Sequence, residues 1–226
     1  MTNMPDELRQ GYLRFRKQCR APANGNELSC VAAAGPRLPP RPAPTTMIIA
    51  CAECHVDPAT IFSAPASDFF VVRNVAALVP PHEEDGRYHG TSAALEYAVT
   101  GLEVSHIVVM GHAQCGGISA ALAAAEDQPV GRFIGPWVDL LSQVREELID
   151  RIEPSHVELR QEALERMSIQ QSLENLLTFP FIAERVMDGR LTLNGAWCSN
   201  SHGDLQWLDW DSGVFERLET RLVWAS

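Results

Sequence analysis

Two short apolar runs, each leading into a residue with a soft metal-binding atom, constrain the fold of this chain most strongly. Residues 48–51 read Ile-Ile-Ala-Cys, and residues 108–117 read Val-Val-Met-Gly-His-Ala-Gln-Cys-Gly-Gly. Continuous apolar runs that are rich in β-branched residues and separated by helical segments are typical of parallel strands buried on both faces. The chain is therefore predicted to be an α/β protein with a mainly parallel sheet flanked by helices.

The patterns along the 226 residues predict two regions of different character. Residues 1–45 are predicted to form an N-terminal helix, over 5–20, and then an arm rich in proline and alanine. Residues 46–226 are predicted to form one α/β domain that ends in a β-hairpin, because turn residues separate the last two strand-like runs. The strands are predicted at 46–51, 69–72, 106–110, 191–198 and 205–210, and the longer helices at 91–100, 117–125, 137–152 and 154–177.

Cys51, His112 and Cys115 are the candidate metal ligands. Ligands gather outside the carboxyl ends of the strands of an open parallel sheet, so residues that follow two different strands can converge there. Two thiolates and one imidazole suit zinc, and three protein ligands leave a fourth position open, as in catalytic zinc sites. Cysteine also often serves as a small buried hydrophobic residue, so the residues alone leave a packing role open.

Charge and composition argue against several classes of function. The net charge of −11 disfavours nucleic-acid binding and binding to an anionic membrane surface. No apolar stretch approaches the roughly 20 residues that span a bilayer, and the first 20 residues lack the apolar core of a signal peptide. The six cysteines are scattered, unlike those of a small disulfide scaffold. We therefore expect a cytoplasmic protein.

Further segments match one known family. They are residues 71–76 (Val-Val-Arg-Asn-Val-Ala), 89–98, 133–137, 175–181 and 194–197. Together with the pattern of Cys51 and then His112-x-x-Cys115, they resemble the β-class carbonic anhydrases over most of the chain from about residue 46. The resemblance implies a mainly parallel sheet flanked by helices and a zinc-bound hydroxide that converts carbon dioxide reversibly to bicarbonate. It also implies a homodimer, often paired into a tetramer, in which the N-terminal helices embrace the partner.

Glu53 and His55 are the candidate catalytic residues, and both depart from the family motif. The family has x-Asp-Ser-Arg after the first cysteine, in which the aspartate accepts a hydrogen bond from the zinc hydroxide and the arginine holds the aspartate. This chain has Ala-Glu-Cys-His at residues 52–55. Glutamate is one methylene longer, so its carboxylate has the reach to occupy the water position. Imidazole lacks the rigid guanidinium fork and is charged only below a pKa of about 6.5.

These departures leave three functions open. The first is a zinc carbonic anhydrase whose activity we expect to be weak. The second is a zinc hydrolase that uses the same hydroxide on carbonyl sulfide or carbon disulfide. The third is a catalytically silent zinc-binding homologue. Roles also stay open for Arg73, which can pair with Glu53 or serve as a structural pair at a strand end, and for Cys54, which can be a stray metal ligand or a packing residue.

Overall fold

The computed structural model describes residues 5–18, 43–84, 89–125, 130–199 and 204–217. Most of the predicted arm, with Cys19 and Cys30, lies outside these residues. The chain divides into two compact units, one made of residues 1–42 and 65–67 and one made of residues 43–64 and 68–226. The first unit contains helix α1, Asp6–Gln18, where the sequence predicts a helix. The division at 45 and 46 remains a prediction of domain organisation.

The second unit is built on a six-stranded sheet with the order β2-β1-β3-β4-β5-β6. The first four strands along this order are mutually parallel, and β5 and β6 continue the sheet in antiparallel fashion. The α/β class, the mainly parallel sheet and the terminal β4–β5 hairpin are therefore confirmed, and β6 is an additional edge strand that the sequence analysis missed. The strands are β1 Thr46–Cys51, β2 Phe69–Asn74, β3 His106–His112, β4 Thr192–Cys198, β5 Leu205–Leu208 and β6 Phe215–Arg217.

Helices connect the parallel strands and cover both faces of the sheet. Helix α2, Pro58–Ile61, has a capped N-terminus: the Asp57 side chain accepts a hydrogen bond from Ala59 N at 2.9 Å, and Pro58 occupies the first helical position. The helix predicted at 137–152 is divided by a 3₁₀ turn at Asp139–Leu141. The helices are α2 Pro58–Ile61, α3 Gly90–Glu96 (continued by a π-helical turn, Tyr97–Gly101), α4 Gly116–Ala125, α5 Ile134–Val138, α6 Ser142–Arg151, α7 Val157–Leu176 and α8 Pro180–Met187; further 3₁₀ turns lie at Ala66–Asp68 and Val75–Ala77.

The central strands carry the hydrophobic core on both faces. Alternate residues of β1 point to opposite sides, so Met47 and Ile49 join one buried cluster while Ile48 and Ala50 join the other. All four of these side chains are at most 1% exposed. Burial on both faces is the physical reason that β1 and β3 read as continuous apolar runs.

The strand register brings the predicted metal ligands to one edge of the sheet. Strands β1 and β3 are parallel neighbours, with Ala50 opposite Met110. Cys51 is the last residue of β1, and His112 is the last residue of β3. Because parallel strands end on the same side, both side chains lie at the carboxyl edge of the sheet.

Candidate metal centre

The structure brings the three predicted ligands together. Cys51, Glu53, His112 and Cys115 each offer a ligand atom, and these four atoms lie within 4.8 Å of one another. The Sγ atoms of Cys51 and Cys115 are 3.7 Å apart. Cys51, His112 and Cys115 are each at most 2% exposed, whereas Glu53 lies at the surface. Two sulfurs and one imidazole in a buried cluster match the donor set that zinc prefers.

The turn between His112 and Cys115 orients both side chains. Gln114 has a φ of +58°, a left-handed conformation that reverses the chain within this short turn. The backbone N–H of Ala113 donates to Cys198 O at 2.9 Å, which fixes the turn to the end of β4. The imidazole Nδ1 of His112 donates to Ala113 O at 3.0 Å. This hydrogen bond makes the buried Nε2 the ring nitrogen that carries the lone pair for a metal.

Hydrogen bonding inside the cluster shifts the pKa values of all three ligands. A hydrogen bond from the Cys115 thiol lowers the pKa of Cys51 to about 4, against the opposing effect of burial. The same hydrogen bond, together with burial, raises the pKa of Cys115 above its ordinary value. Burial acts to lower the pKa of His112, but hydrogen bonding and charge attraction to Cys51 outweigh it and raise that pKa to about 9. Near neutral pH the metal-free cluster therefore holds one thiolate, one thiol and one imidazolium.

Glu53 is held by the amino end of helix α4. Its Oε2 accepts a hydrogen bond from Gly116 N at 2.7 Å. A Cβ atom on residue 116 would lie only 2.9 Å from that oxygen, so glycine permits the close approach. The free N–H groups and the dipole at a helix N-terminus favour a carboxylate.

His55 is not paired with Glu53 in the structure. Its side chain is exposed, and within the described part of the chain no hydrogen bond or ion pair joins it to Glu53. The structure thus does not bring the two candidate catalytic residues together as a pair. Gly116 holds the carboxylate instead.

Arg73 supports the loop that follows β1. Its guanidinium donates to Cys51 O at 2.9 Å and to Cys54 O at 3.1 Å. It also forms an ion pair with Asp57, with an N–O distance of 3.3 Å. These contacts correspond to the structural alternative for Arg73, because they tie residues 51–57 to β2 rather than reaching Glu53.

The sequence analysis missed Glu165, which contacts the metal-binding turn from helix α7. Glu165 is only 2% exposed, and its Oε1 accepts hydrogen bonds from Cys115 N at 3.1 Å and from Gln161 Nε2 at 2.8 Å. Its Oε2 accepts a hydrogen bond from Trp197 Nε1 at 3.1 Å. Gln161 also donates to Cys115 O at 2.9 Å. Side chains of one helix thus hold both the N–H and the C=O group of Cys115. The sequence signal for this contact was limited to a Gln–Glu pair four residues apart in α7.

Cys54 lies next to the cluster without joining it. Among the described residues, the group able to hold a metal contains Cys51 and Cys115 but not Cys54. Cys54 instead contacts Cys198, with 3.9 Å between the two sulfurs. Both residues are buried, so these two sulfurs belong to the core beside the cluster.

Comparison with known proteins decides the family. The sequence model of the carbonic anhydrase family matches residues 46–205. This chain belongs to the β-carbonic anhydrase family. This chain is 34% identical to chloroplastic beta carbonic anhydrase 5 of Arabidopsis thaliana over 196 residues. The match covers 87% of this chain and 62% of that relative, so the chain spans less than two thirds of the relative's length.

Solved carbonic anhydrases share the fold. The β-carbonic anhydrase CcaA is 26% identical, with a TM-score of 0.72 over 96% of this chain and 89% of the other. A tetrameric β-carbonic anhydrase of Sordaria macrospora is also 26% identical, with a TM-score of 0.63 over 90% of this chain and 92% of the other. Membership of the β-carbonic anhydrase family, which the sequence motifs predicted, is therefore confirmed.

Proposed function

We propose that this β-carbonic anhydrase family member binds zinc through Cys51, His112 and Cys115 and catalyses the reversible hydration of carbon dioxide to bicarbonate. The observation that carries the proposal is the buried convergence of two cysteine sulfurs and one histidine nitrogen within 4.8 Å. Zinc in such a site supplies a hydroxide nucleophile near neutral pH. The protein supplies the rest, because burial and the hydrogen bond from His112 Nδ1 to Ala113 O orient the ligands.

Glu53 is proposed as the residue that controls the fourth metal position. Its carboxylate lies within 4.8 Å of the three ligand atoms while Gly116 N holds one of its oxygens. In this place it can accept a hydrogen bond from the reacting oxygen, or take the fourth position itself. We expect weak activity because these two roles exclude each other. A catalytic role for His55 stays a prediction.

We further propose a homodimer or a tetramer built from dimers. Within the sheet unit, Val75, Phe133, Ile134 and Trp137 line one mainly apolar surface, and Phe133 is 85% exposed there. A contiguous exposed apolar patch of this kind is typical of a protein–protein interface. The Sordaria macrospora relative is tetrameric. Cytoplasmic location and the absence of nucleic-acid and membrane partners remain predictions: the Arabidopsis thaliana relative is chloroplastic, and no helix among the described residues is long and apolar enough to span a bilayer.

Stopped-flow hydration of carbon dioxide by zinc-loaded protein from pH 6 to 9 tests this function. We expect measurable turnover that falls at least about a hundredfold in His112→Ala, because one of three ligands is lost. His106→Ala is the matched control, since His106 lies exposed at the other end of β3 and should leave zinc content and rate unchanged. Zinc-loaded protein with no turnover across this pH range would contradict the proposal and assign the silent zinc-binding role.

The double variant Glu53→Asp with His55→Arg tests whether the altered motif limits the rate. A large gain in hydration would show that the acid–base pair alone was missing. An unchanged rate would show that the pocket differs further. Turnover of carbonyl sulfide without turnover of carbon dioxide would select the related hydrolase instead.

A further inference from the structure

A second pair of cysteine thiols lies beside the metal ligands. Cys54 Sγ and Cys198 Sγ are 3.9 Å apart, and the two residues are 7% and 0% exposed. In zinc-loaded protein the sulfurs of Cys51 and Cys115 are occupied as ligands. Among the described residues, Cys54 and Cys198 are then the cysteines whose sulfurs are left outside the metal cluster.

The two cysteines are supported by different parts of the fold. Cys198 is the last residue of β4, where it is opposite His112 on one side and Leu205 on the other. Cys54 lies in the loop after β1, and its thiol donates to Val56 O at 3.6 Å. A disulfide needs a sulfur separation of about 2 Å, so closure requires an approach of roughly 2 Å that the loop rather than the strand can supply.

We propose that Cys54 and Cys198 form an oxidisable dithiol site, which closes to a disulfide on reaction with hydrogen peroxide while the zinc ligands stay in place. Buried cysteines often act only as small hydrophobic residues, and that role would not need two sulfurs in contact. Here the sulfurs face each other across an interface between a loop and a strand, which is the arrangement that an intramolecular disulfide requires. A small oxidant is chosen because both residues are largely closed to solvent.

The chemistry involves two steps that balance. The Cys54 sulfur, the more exposed of the pair, loses its proton and attacks one peroxide oxygen; the O–O bond breaks, giving a sulfenic acid on Cys54 and, after proton uptake, one water. The Cys198 sulfur then loses its proton and attacks the Cys54 sulfur; the S–O bond breaks and a second water leaves. In sum, two thiols and one hydrogen peroxide give one disulfide and two waters, and two electrons pass from sulfur to oxygen.

The experiment uses the zinc-loaded full chain, a stoichiometric amount of hydrogen peroxide, alkylation of the remaining thiols and digestion after arginine without reductant. Because Pro42 blocks cleavage after Arg41, Cys51 and Cys54 both fall in peptide 38–73, whereas Cys198 falls in peptide 191–217 and Cys115 in peptide 88–132. The partner peptide and fragmentation within 38–73 together identify the bond. We expect peptides 38–73 and 191–217 to be linked, with fragmentation placing the bond at Cys54. We also expect unchanged zinc content and reversal by dithiothreitol.

Two single substitutions control the result. Cys54→Ser and Cys198→Ser should both abolish the link. Cys198→Ser should in addition leave Cys54 as a sulfenic acid, so that labelling by dimedone rises at least tenfold over the unsubstituted chain. These measurements do not use carbon dioxide, so their outcome is separate from that of the proposed hydration activity.

Two outcomes would overturn the proposal. A link between peptides 38–73 and 88–132, accompanied by loss of zinc, would show that the metal-binding sulfurs are the oxidisable pair. Cys54 that stays a thiol, or passes to sulfinic acid without any link, would show that Cys54 and Cys198 serve only in packing.

Discussion

At the scale of single residues, zinc and protons compete for the same atoms. The metal requires two thiolates and a neutral imidazole, whereas the metal-free cluster carries protons on Cys115 and His112 near neutral pH. The pKa of Cys51, lowered to about 4, means that this ligand is already a thiolate. Zinc therefore has to displace two protons rather than three.

We predict that zinc loading at pH 7 releases about two protons per chain and that affinity falls as the pH is lowered. The sign follows from the raised pKa of His112, about 9, because below that value the ligand must lose a proton to bind. Each displaced proton gives about a tenfold change in affinity per pH unit, so the two together give roughly a hundredfold change per pH unit, or about ten-thousandfold between about pH 6 and 8. Competition with a chelator at three pH values gives the slope, and an indicator dye in weak buffer counts the protons.

The control for this measurement is His106→Ala, which should release the same number of protons. Release of fewer than one proton would contradict the raised pKa values of His112 and Cys115, since it would mean that both were already deprotonated without metal.

The residue scale also shows how far the sequence could predict the centre. The convergence of Cys51, His112 and Cys115 was predictable because neighbouring parallel strands end at the same edge of the sheet. Residues that end or follow two such strands therefore lie close together. Glu165 was not predictable, because a glutamate in a charged helix resembles a solvated residue until the partner of that helix is known. The hydrogen bond from Gly116 to Glu53 was hidden for a similar reason: a motif indicates residue types but not which backbone N–H faces them.

At the scale of elements, helix α4 depends on a close approach to the turn at residues 75–77. A Cβ atom on Gly117 would lie 2.8 Å from Val75 Cγ1 and 2.9 Å from Ala76 Cβ. Ala76 cannot easily yield, since it already has a left-handed φ of +63° and is only 4% exposed. Because Gly117 has no side chain, the first turn of α4, which also holds Glu53, can pack closely against residues 75–77.

We predict that Gly117→Ala lowers the free energy of unfolding by about 1–3 kcal/mol through overpacking. Gly135→Ala in helix α5 is the matched control, because nothing lies within 4 Å of a Cβ atom there. That variant should change the free energy of unfolding by less than about 1 kcal/mol, because the gain in helix propensity is opposed by the steric restriction that Pro136 places on the residue before it. Urea unfolding of the two variants measures both values; equal stability would contradict the packing argument.

The elements themselves were predicted unevenly. Strands β1 and β3 were clear because burial on both faces makes each a short, continuous apolar run rich in β-branched residues. Strand β6, Phe215–Arg217, was missed because it has only three residues, one half-buried and two exposed, and these carry too little pattern. The break at Asp139–Leu141 was missed because its residues continue the helical periodicity on either side.

At the scale of the whole molecule, an exposed groove lies beside β2. It has a volume of about 580 Å³, and its lining includes Arg73, Asn74, His89, Phe133 and Trp137. Asn74 is opposite Cys51 in the register of β1 and β2, so this surface begins one strand away from the metal ligands. An apolar, exposed surface at this place is where the proposed second copy would be bound.

We predict that Phe133→Glu weakens self-association by at least about tenfold, because a charge would replace an apolar contact in the proposed interface. Met187→Glu is the matched control, since Met187 is 80% exposed and lies at the end of α8. Light scattering across a dilution series gives the molar mass of both variants. A similar dissociation in both, or a monomer without substitution, would contradict the proposed interface.

The hydrogen bonds of Glu165 set an order of events during synthesis. The backbone N–H of Cys115 donates to the carboxylate of Glu165, which lies 50 positions later in the chain. That carboxylate also accepts a hydrogen bond from Trp197, a further 32 positions on. A nascent chain that has synthesised all three proposed zinc ligands still lacks the atoms that fix their geometry. The pocket with both of these hydrogen bonds can form only after translation has passed residue 197, so we expect the proposed ion to be held most tightly at a late stage of folding.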